Sequence, residues 1–404
     1  MDRELIEKMK SSKVSFHEAD RMPETDSAIL ARRTAVSGFT GVEFKHITNF
    51  SFNTREVTKR NIENMIGAIQ VPLGVAGPLH ITGEYANGGY YIPLATTEGA
   101  LVASVNRGCS VITACGGASV RIFKDEMTRA PVFKVKDAKG AKELVDWVNN
   151  PANFRRLKEK AETTTKFGKL LSLTTFVAGR NVFIRFSYDT KDAMGMNMVT
   201  IATDAAVDLI LSETSAELVA LSGNMCSDKK PAAINVITGR GKTVSADVVL
   251  DRKTILEKLK TTPEKMVDVN YRKNLVGSAL SGSLGMNAHA ANVASAMFIA
   301  CGQDAAHAVE ASNTMTTLEL TDDDLHCSVT LPSLAVGTVG GGTGIGTQKE
   351  CLQILGAAGA GDPPGANSKK LAEIIAAAVL AGEISLIGAL AARHLAKAHS
   401  EHGR

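Results

Sequence analysis

The order of polar and apolar positions is the first guide to how this chain folds. Residues 1–59 are mostly polar and contain short amphipathic stretches such as Arg3–Met9, so they predict a helical cap with a thin core. Apolar runs interrupted by proline and glycine follow, and they predict strands at Val71–Leu79 and Tyr90–Leu94. The run that begins at Glu98 favours a helix.

The segment from residue 131 to residue 222 is richer in charged residues and mixes helical with strand periodicity. The pattern predicts helices at Ala138–Asn149, at Pro151–Thr163 and from about Met198 to Ala220, with a strand at Asn181–Tyr188. This mixture predicts a separate α+β insert.

The remaining residues return to apolar runs separated by glycine. They predict a hairpin-like pair of strands at Ile234–Thr238 and Lys242–Leu250, a helix of small residues near Met286–Ala300, and a glycine-rich loop at Gly337–Gly346. A C-terminal helix follows. The chain as a whole therefore predicts the α+β fold class.

Two apolar segments, Leu275–Ala300 and Leu371–Ala392, are long enough to raise the question of a membrane span. Polar residues interrupt both segments, namely Asn287, His289 and Asn292 in the first and Glu373 and Glu383 in the second. Polar groups at mid-span are costly in lipid but tolerable in a protein core. We therefore expect buried helices and no membrane partner.

Composition narrows the class of protein. A chain of 404 residues can form two or three domains. A formal net charge of +3 and an aromatic content of 5% argue against a nucleic-acid partner and suit a small anionic ligand. The six cysteines form no C-x-x-C pair and the N-terminus carries no secretory signal, so we expect reduced thiols and a cytoplasmic protein.

Two acidic residues stand at the ends of predicted elements. Glu98 lies between a strand and a helix, where an acid can either transfer a proton or simply stabilise the helix N-terminus. Asp304 follows a helix, where the helix dipole disfavours an acid. We therefore expect a partner cation for Asp304, with a surface acid as the alternative.

Lys229 and Lys230 precede Pro231 in the run Gly223–Pro231. Proline favours an extended backbone at the residue before it, and neighbours in an extended chain point to opposite faces. One lysine could therefore stabilise an oxyanion while the other binds a ligand carboxylate or phosphate. A solvated basic loop is the alternative.

The C-terminal histidines do not predict a metal site. His394 and His399 would be about 140° apart around a helix, too far to share an ion. His399 and His402 could share one, but no third ligand is close in the sequence. We therefore expect no bound metal. The interpretation that competes with a metal site is that these histidines lie on the surface.

The sequence lacks the usual nucleotide motifs. No G-x-G-x-x-G follows a strand, even in the glycine-rich loop, which argues against a Rossmann site. Gly239–Thr243 resembles the end of a Walker loop, but Val236 stands where that motif needs its first glycine. The turn Asp192–Asn197, between a strand and a helix, remains as a place where backbone N–H groups could face a phosphate.

Seven segments together resemble the catalytic domain of 3-hydroxy-3-methylglutaryl-CoA reductase. They are Glu63–Gly67, Thr96–Gly108, Asp192–Asn197, Gly223–Lys242, Gly277–Asn313, Leu331–Gly342 and His394–His399. The resemblance implies a helical N-terminal domain (1–59), a large domain (60–130 and 223–404) around a long central helix near Met286–Ala300, and a small ferredoxin-like α+β insert (131–222) that binds the nucleotide. The chain begins shortly before the catalytic region without a membrane anchor, so it looks like the soluble archaeal, class I form.

The resemblance also implies an activity. It would be the reduction of 3-hydroxy-3-methylglutaryl-CoA to mevalonate and CoA with two NADPH per turnover, through mevaldyl-CoA and mevaldehyde, in isoprenoid biosynthesis. Lys229 would then stabilise the oxyanion, Glu98 would donate a proton, and Asp304 would tune both. His399 would protonate the departing CoA thiolate.

Further residues take binding roles from their places in the matching motifs. Those expected to contact the hydroxymethylglutaryl group are Arg129, Ser222, Asp228, Lys230, Lys273 and Asn292, and those expected to contact coenzyme A are Ser104, Asn106, Arg107 and Gly108. The expected nucleotide contacts are Thr165, Lys166, Phe167, Asp192, Ala193, Met194, Gly195, Met196 and Asn197. Lys166 favours NADPH over NADH.

The same resemblance makes Glu63–Gly67 a dimer-associated motif, so we expect a homodimer, or a higher oligomer built from it, with the active site at the subunit interface. Ser110 stands where many relatives carry a basic residue directed at coenzyme A. Three other interpretations stay open: oxidation of mevalonate with NADH, a Schiff-base lyase that uses Lys229, and a non-catalytic nucleotide-binding module.

Overall fold

The computed structural model describes residues 3–392. Its helices in this range are α1 (Arg3–Lys10), α2 (Thr25–Thr40), α3 (Thr54–Arg60), α4 (Leu101–Ala114), α5 (Ala138–Asn149), α6 (Pro151–Glu162), α7 (Met196–Glu213), α8 (Ala233–Thr238), α9 (Arg252–Thr254), α10 (Pro263–Val269), α11 (Ser278–Ser281), α12 (Ala290–Ala300), α13 (Ala308–Ala311), α14 (Gly346–Ile354) and α15 (Ala366–Ala391). Its strands are β1 (Leu73–Thr82), β2 (Asn87–Ala95), β3 (Ala118–Arg129), β4 (Val132–Lys134), β5 (Lys169–Ala178), β6 (Asn181–Asp189), β7 (Glu217–Ala220), β8 (Gly241–Leu250), β9 (Met315–Thr321) and β10 (Asp324–Leu334).

Strand β3 connects two sheets. Along most of its length it pairs antiparallel with β8, and near its start it pairs parallel with β1, so the larger sheet runs β2-β1-β3-β8-β10-β9. Its last residues, Met127–Arg129, pair instead with β6 of the smaller sheet. Because one continuous strand enters both sheets, the end of β3 lies where the two parts of the molecule meet.

The smaller sheet has the strand order β7-β4-β6-β5, with helices α5 and α6 between β4 and β5 and helix α7 between β6 and β7. This is the β-α-β-β-α-β order of a ferredoxin-like unit. Its buried apolar residues form a cluster of their own, which includes Phe133, Phe186 and Val207.

Helix α15 is the central helix of the larger part. Residues on every side of it are buried, and it packs against α4, α12 and the sheet strands β8 and β10. It is long and apolar enough to cross a membrane, but 83% of its apolar window is buried inside the protein. The expectation that the central helix lies near Met286–Ala300 is therefore wrong. That region holds only the shorter α12, because residues 282–289 form a loop.

The two acids inside the apolar C-terminal helix have structural partners. Glu373 accepts hydrogen bonds from the backbone N–H groups of residues 84–86, and Glu383 accepts from the N–H groups of Ala288 and His289 just before α12. Burying a carboxylate requires such donors. Glu383 thereby fixes the start of α12 against α15.

Two predicted elements are wrong. Residues 233–238 form helix α8, not a strand, because Ser227 O accepts a hydrogen bond from the side chain of buried Asn235 and Ser333 donates to its carbonyl. These tertiary contacts override the strand preference of the isoleucine and valine residues. Helix α7 ends at Glu213 instead of continuing to Ala220, since the chain turns there to place β7 beside β4.

Candidate active site

The candidate site is arranged around helix α12, which has a polar contact near each end. At its first turn, Asn292 donates through Nδ2 to the carboxylate oxygens of Glu98, at 3.1 and 2.9 Å. Beyond its last turn, Asp304 Oδ2 lies 2.7 Å from Lys229 Nζ. The helix from Asn292 to Ala300 spans about 12 Å. The structure therefore places these predicted residues in two groups.

The expected partner cation of Asp304 is Lys229, so that prediction is confirmed. Burial would raise the pKa of Asp304, but the hydrogen bonds from Lys229 and from the N–H of Ala306 outweigh it and hold the pKa below its usual value. The hydrogen bond to Asp304 raises the pKa of Lys229. At neutral pH the lysine is consequently an ammonium ion beside a carboxylate.

The loop that carries Lys229 has an unusual backbone. Lys229 itself has a φ of 58°, and Asn224 and Ser227 have φ values of 62° and 52°. Left-handed conformations are unfavourable for residues other than glycine and need support from their surroundings. Glu310 supplies part of that support by accepting a hydrogen bond from the N–H of Lys229.

The neighbouring lysines do not contact the same group. Lys230 Nζ donates to the carbonyl of Asp228 at 3.0 Å, whereas Lys229 Nζ contacts Asp304. Their divergence was expected from an extended backbone, but the left-handed conformation of Lys229 produces it instead.

A buried charged cluster behind this pair was missed by the sequence analysis. Arg240, with no exposed surface, donates to Glu310 at 2.7 and 2.9 Å and to Asp228 at 3.0 Å, and His307 is buried between them. We call Asp228, Arg240, His307 and Glu310 the Arg240 cluster. The three-residue spacing of Asp304, His307 and Glu310, which places side chains on one side of a helical turn, was the signal available in the sequence.

The Arg240 cluster also has the spacing of a cation site. Ligand atoms of Asp228, His307 and Glu310 lie within 4.8 Å of one another. The guanidinium of Arg240 pairs with the carboxylates of Asp228 and Glu310 and contacts His307, so it already supplies positive charge there. A buried carboxylate needs one such partner, so Arg240 fulfils the role that a metal ion would otherwise have.

A cleft of about 870 Å³ opens beside Lys229 and Asp304. Its walls include the turn Ala193–Asn197 and the glycine-rich stretch Gly337–Thr343. The two pair at Ala193 and Val339, and a side chain at Gly337 would come within 2.3 Å of the backbone N of Met194. Glycine is therefore required for this close contact. The glycine-rich loop was not among the predicted nucleotide contacts.

Asp192 does not line this cleft. It is buried, and its carboxylate accepts hydrogen bonds from the N–H groups of Gly361 (2.9 Å), Gly365 (2.7 Å) and Ser368 (3.0 Å) at the start of α15. With its oxygens occupied in this way, Asp192 holds the turn in place instead of facing the cleft.

The predicted residues Thr165, Lys166 and Phe167 form the loop between α6 and β5. Thr165 Oγ1 lies 3.1 Å from the sulfur of Met198, which lines the cleft. Lys166 and Phe167 are exposed. This loop is therefore next to the cleft and open to solvent.

The residues expected to contact coenzyme A lie on α4, where several contact the protein itself. Ser104 and Arg107 bond to Ser385 of α15 at 2.9 to 3.0 Å, and a Cβ at Gly108 would come within 1.9 Å of the carbonyl oxygen of Ala381. Asn106, which is exposed, accepts a hydrogen bond from the N–H of Gly77. One turn further, Ser110 accepts a hydrogen bond from Lys258 at 2.8 Å.

The other predicted residues lie at three further places. Arg129 lines the cleft, and its buried Nε has no hydrogen-bond partner among residues 3–392. Ser222 lies 3.4 Å from the sulfur of Cys226 in the Lys229 loop. Lys273 lines a second cavity, of about 690 Å³, with residues 281–285. His394 and His399 lie outside the described residues.

The fold and the cleft together are those of an enzyme. The Lys229–Asp304 pair lies next to glycine-rich backbone, and this arrangement is suited to anionic and nucleotide ligands. A family model described as hydroxymethylglutaryl-coenzyme A reductase matches residues 28–404. The chain belongs to this family.

Comparison with curated proteins gives relatives named 3-hydroxy-3-methylglutaryl-coenzyme A reductase. The relative from Haloferax volcanii is 54% identical over 99% of this chain and 98% of its own. The relative from Methanocaldococcus jannaschii is 53% identical over 99% of both. Among solved structures, the class II reductase of Streptococcus pneumoniae, described as bound to NADPH, has a TM-score of 0.65 and 18% identity over 96% of this chain and 97% of its own. At that identity the likeness concerns the fold.

Proposed function

We propose that this protein reduces 3-hydroxy-3-methylglutaryl-CoA to mevalonate and CoA with two NADPH per turnover, as an archaeal-type class I enzyme of the cytoplasm. The observation that carries the proposal is the Lys229–Asp304 pair, which lies in a cleft beside two backbone loops. Identity of about half the sequence to archaeal relatives, against 18% to the class II structure, supports the class.

Lys229 is suited to stabilise negative charge on a carbonyl oxygen. Its ammonium is bonded to Asp304, but the Lys229 side chain is 43% exposed, so a substrate oxygen can approach it. Such a donor stabilises the oxyanion that forms when hydride reaches the carbon. An ammonium cannot attack a carbonyl, and the raised pKa of Lys229 therefore disfavours the Schiff-base lyase.

NADPH, when bound, supplies the hydride in each reduction. The backbone of Ala193–Asn197 and Gly340–Thr343 would bind it in the cleft, where Gly195, Gly340 and Gly341 adopt positive φ and leave room for a close approach. Lys166 is exposed on the adjacent loop, where its ammonium can contact a 2′-phosphate. This supports NADPH over NADH, and reduction over mevalonate oxidation.

Glu98 would donate the proton to the aldehyde oxygen, but α12 separates it from Lys229 of its own chain. We infer that the homodimer closes the site, with Glu98, Lys273 and Asn292 of one subunit facing Lys229 and Asp304 of the other. Exposed apolar side chains near Lys273, at Tyr271, Val276 and Leu280, provide surface for the second copy. His399 would protonate the CoA thiolate after the first reduction.

The hydroxymethylglutaryl group and coenzyme A would contact different parts of the site. Arg129, which lines the cleft and whose Nε is unpaired among residues 3–392, suits the terminal carboxylate of the hydroxymethylglutaryl group, together with Ser222, Asp228 and Lys230 on the adjacent loop. Coenzyme A would lie along the exposed side of α4, near Asn106.

The proposal is tested by following NADPH absorbance with hydroxymethylglutaryl-CoA and counting CoA released. Two NADPH should be oxidised for each CoA, and Lys229→Met should lower kcat by roughly 100-fold or more. Lys139→Met, at a lysine whose side chain is 84% exposed on α5, is the matched control and should leave kcat unchanged. A ratio near one, no oxidation, or full activity of Lys229→Met would contradict the proposal. Reduction by borohydride that traps a substrate on Lys229 would favour the lyase.

A further inference from the structure

His307 has no role in the reaction as described so far, yet it is buried at the centre of the charged residues. Its side chain has no exposed surface. Its Nδ1 lies 3.4 Å from Arg240 and 3.5 Å from Glu310, while its Nε2 lies 3.7 Å from Asp228 Oδ1 and 3.8 Å from Asp304 Oδ2. That Nε2 has no hydrogen-bond partner within residues 3–392.

Charged side chains from several elements surround His307, whereas α12, which also packs against its turn, contributes none. Asp228 faces it from the Lys229 loop, Arg240 from the residue before β8, Asp304 from its own turn and Glu310 from α13. Lys229 is bonded to Asp304, and Arg185 of β6 interacts electrostatically with Arg240, Glu126 and Glu310 in the next layer. The three carboxylates nearest the imidazole outnumber the two cations bonded to them. A proton on His307 would neutralise the remaining negative charge.

We propose that His307 is a positioning residue. Its imidazole lies between Asp228, Asp304 and Glu310 and holds a proton there, and this positive charge keeps Asp304 in its ion pair with Lys229. This inference rests on the proposed roles of Lys229 and Asp304. Its imidazole lies behind Asp304 and acts on the substrate only through the Lys229–Asp304 pair. Loss of that charge leaves Asp304 with an uncompensated carboxylate neighbour, which weakens its hold on the lysine.

The test compares His307→Gln with wild type in the intact enzyme, because glutamine keeps a polar side chain but does not titrate. With NADPH and hydroxymethylglutaryl-CoA, kcat should fall, by less than the roughly 100-fold expected for a group that transfers the proton itself, while KM stays within about twofold. The pH profile of kcat should differ in shape from that of wild type, because the variant has lost an ionisable group next to Asp304. His326→Gln, at a partly exposed histidine that pairs with Asp247 on the sheet, is the matched control and should keep the wild-type profile.

A profile of His307→Gln that superimposes on wild type after scaling would overturn the proposal and leave His307 a structural residue. A second variant, His307→Lys, keeps a positive charge at this position, so a kcat no higher than that of His307→Gln would also overturn the proposal. Failure of the underlying function is distinguishable, since Lys229→Met would then retain activity. If Lys229→Met is inactive while the His307→Gln profile is unchanged, only the present inference fails.

Discussion

The two ends of helix α12 are held in place by different means. At the Asp304 end, an ion pair lies against the Arg240 cluster, in which Arg240, His307 and Glu310 are buried and Asp228 is partly exposed. At the Glu98 end, the acid is exposed and its side chain bonds to the amide of Asn292, while the helix that follows, α4, packs by close backbone contact on α15. The Asp304 half of the site is therefore organised within one chain. The Glu98 half is open to solvent and needs a second surface packed against it to exclude water.

The largest expected effect is recovery of activity when two inactive variants are mixed. Glu98→Gln and Lys229→Met should each lower kcat by roughly 100-fold or more. If each site takes Glu98 from one subunit and Lys229 from the other, a mixed dimer has one site with both residues intact. Subunit exchange in an equal mixture should then restore about a quarter of wild-type activity, measured as NADPH oxidation.

The control for that mixture is Glu98→Gln combined with a chain that carries both substitutions, which should restore nothing. Glu319→Gln, at an exposed glutamate on β9, should be fully active alone. Failure of the two single variants to complement, although they exchange subunits, would place Glu98 and Lys229 of the same chain in one site and refute the shared arrangement.

The next effect concerns the stability of the Asp304 end. Arg240→Met should lower the free energy of unfolding by about 3–5 kcal/mol, because Glu310 and Asp228 would lose their buried partner. Urea denaturation measures this change. Arg252→Met, at an arginine paired with exposed Glu264, is the control and should change stability far less, since solvent screens exposed pairs. If both variants lost the same free energy of unfolding, burial would not make the ion pairs of Arg240 more important for stability than the exposed pair of Arg252.

The Glu98 end should be sensitive to volume instead of charge. Gly108→Ala places a methyl group within 1.9 Å of the Ala381 carbonyl, so α4 must move from α15 at a cost of about 1–3 kcal/mol. Gly140→Ala in α5 meets no atom closer than 3.6 Å and should be neutral or slightly stabilising. Urea denaturation at low and high salt should give the same loss for Gly108→Ala. A loss that salt removes would contradict a steric cause.

Features that local sequence signals specify could be predicted, whereas features built from residues distant in the sequence could not. Helix Ala138–Asn149 was predicted with its observed bounds, because local signals specify it: an amphipathic pattern, the N-cap Asp137 and the Asn150-Pro151 pair that begins the next helix. The Arg240 cluster could not be predicted, since Arg240 and Glu310 are distant in the sequence and meet only through the fold.

The misplaced central helix has a physical reason as well. Both α12 and α15 are rich in small apolar residues, and composition does not say which is central. Length and the absence of a polar face would have favoured α15, because a helix that is apolar on all sides must be buried. That Asp304 has a partner cation could be predicted from the local sequence, because the helix dipole disfavours an acid after a helix, but the same sequence did not say that the partner is Lys229.

The smallest expected effect is the pH dependence of the Lys229–Asp304 pair itself. The pKa of Asp304 is lowered on folding, so its contribution to stability is present above its unfolded pKa, near 3.8, and is lost as the pH falls through the lower folded value. The pKa of Lys229 is raised, so its contribution is present below 10.5 and is lost as the pH rises through the higher folded value. The pair should therefore stabilise the protein across the neutral range.

Asp304→Asn should accordingly cost less than about 1 kcal/mol at pH 7, because the two side chains are 43% and 35% exposed and solvent screens their attraction. The difference from wild type in urea denaturation should shrink as the pH falls below 3.8 towards the lowered folded pKa of Asp304. Asp208→Asn, at an exposed acid on α7, should show no such trend. If the Asp304→Asn difference were as large at pH 3 as at pH 7, the side chain would stabilise the protein by packing or neutral hydrogen bonds. Electrostatic stabilisation of the Asp304 end of α12 would then come from the Arg240 cluster alone.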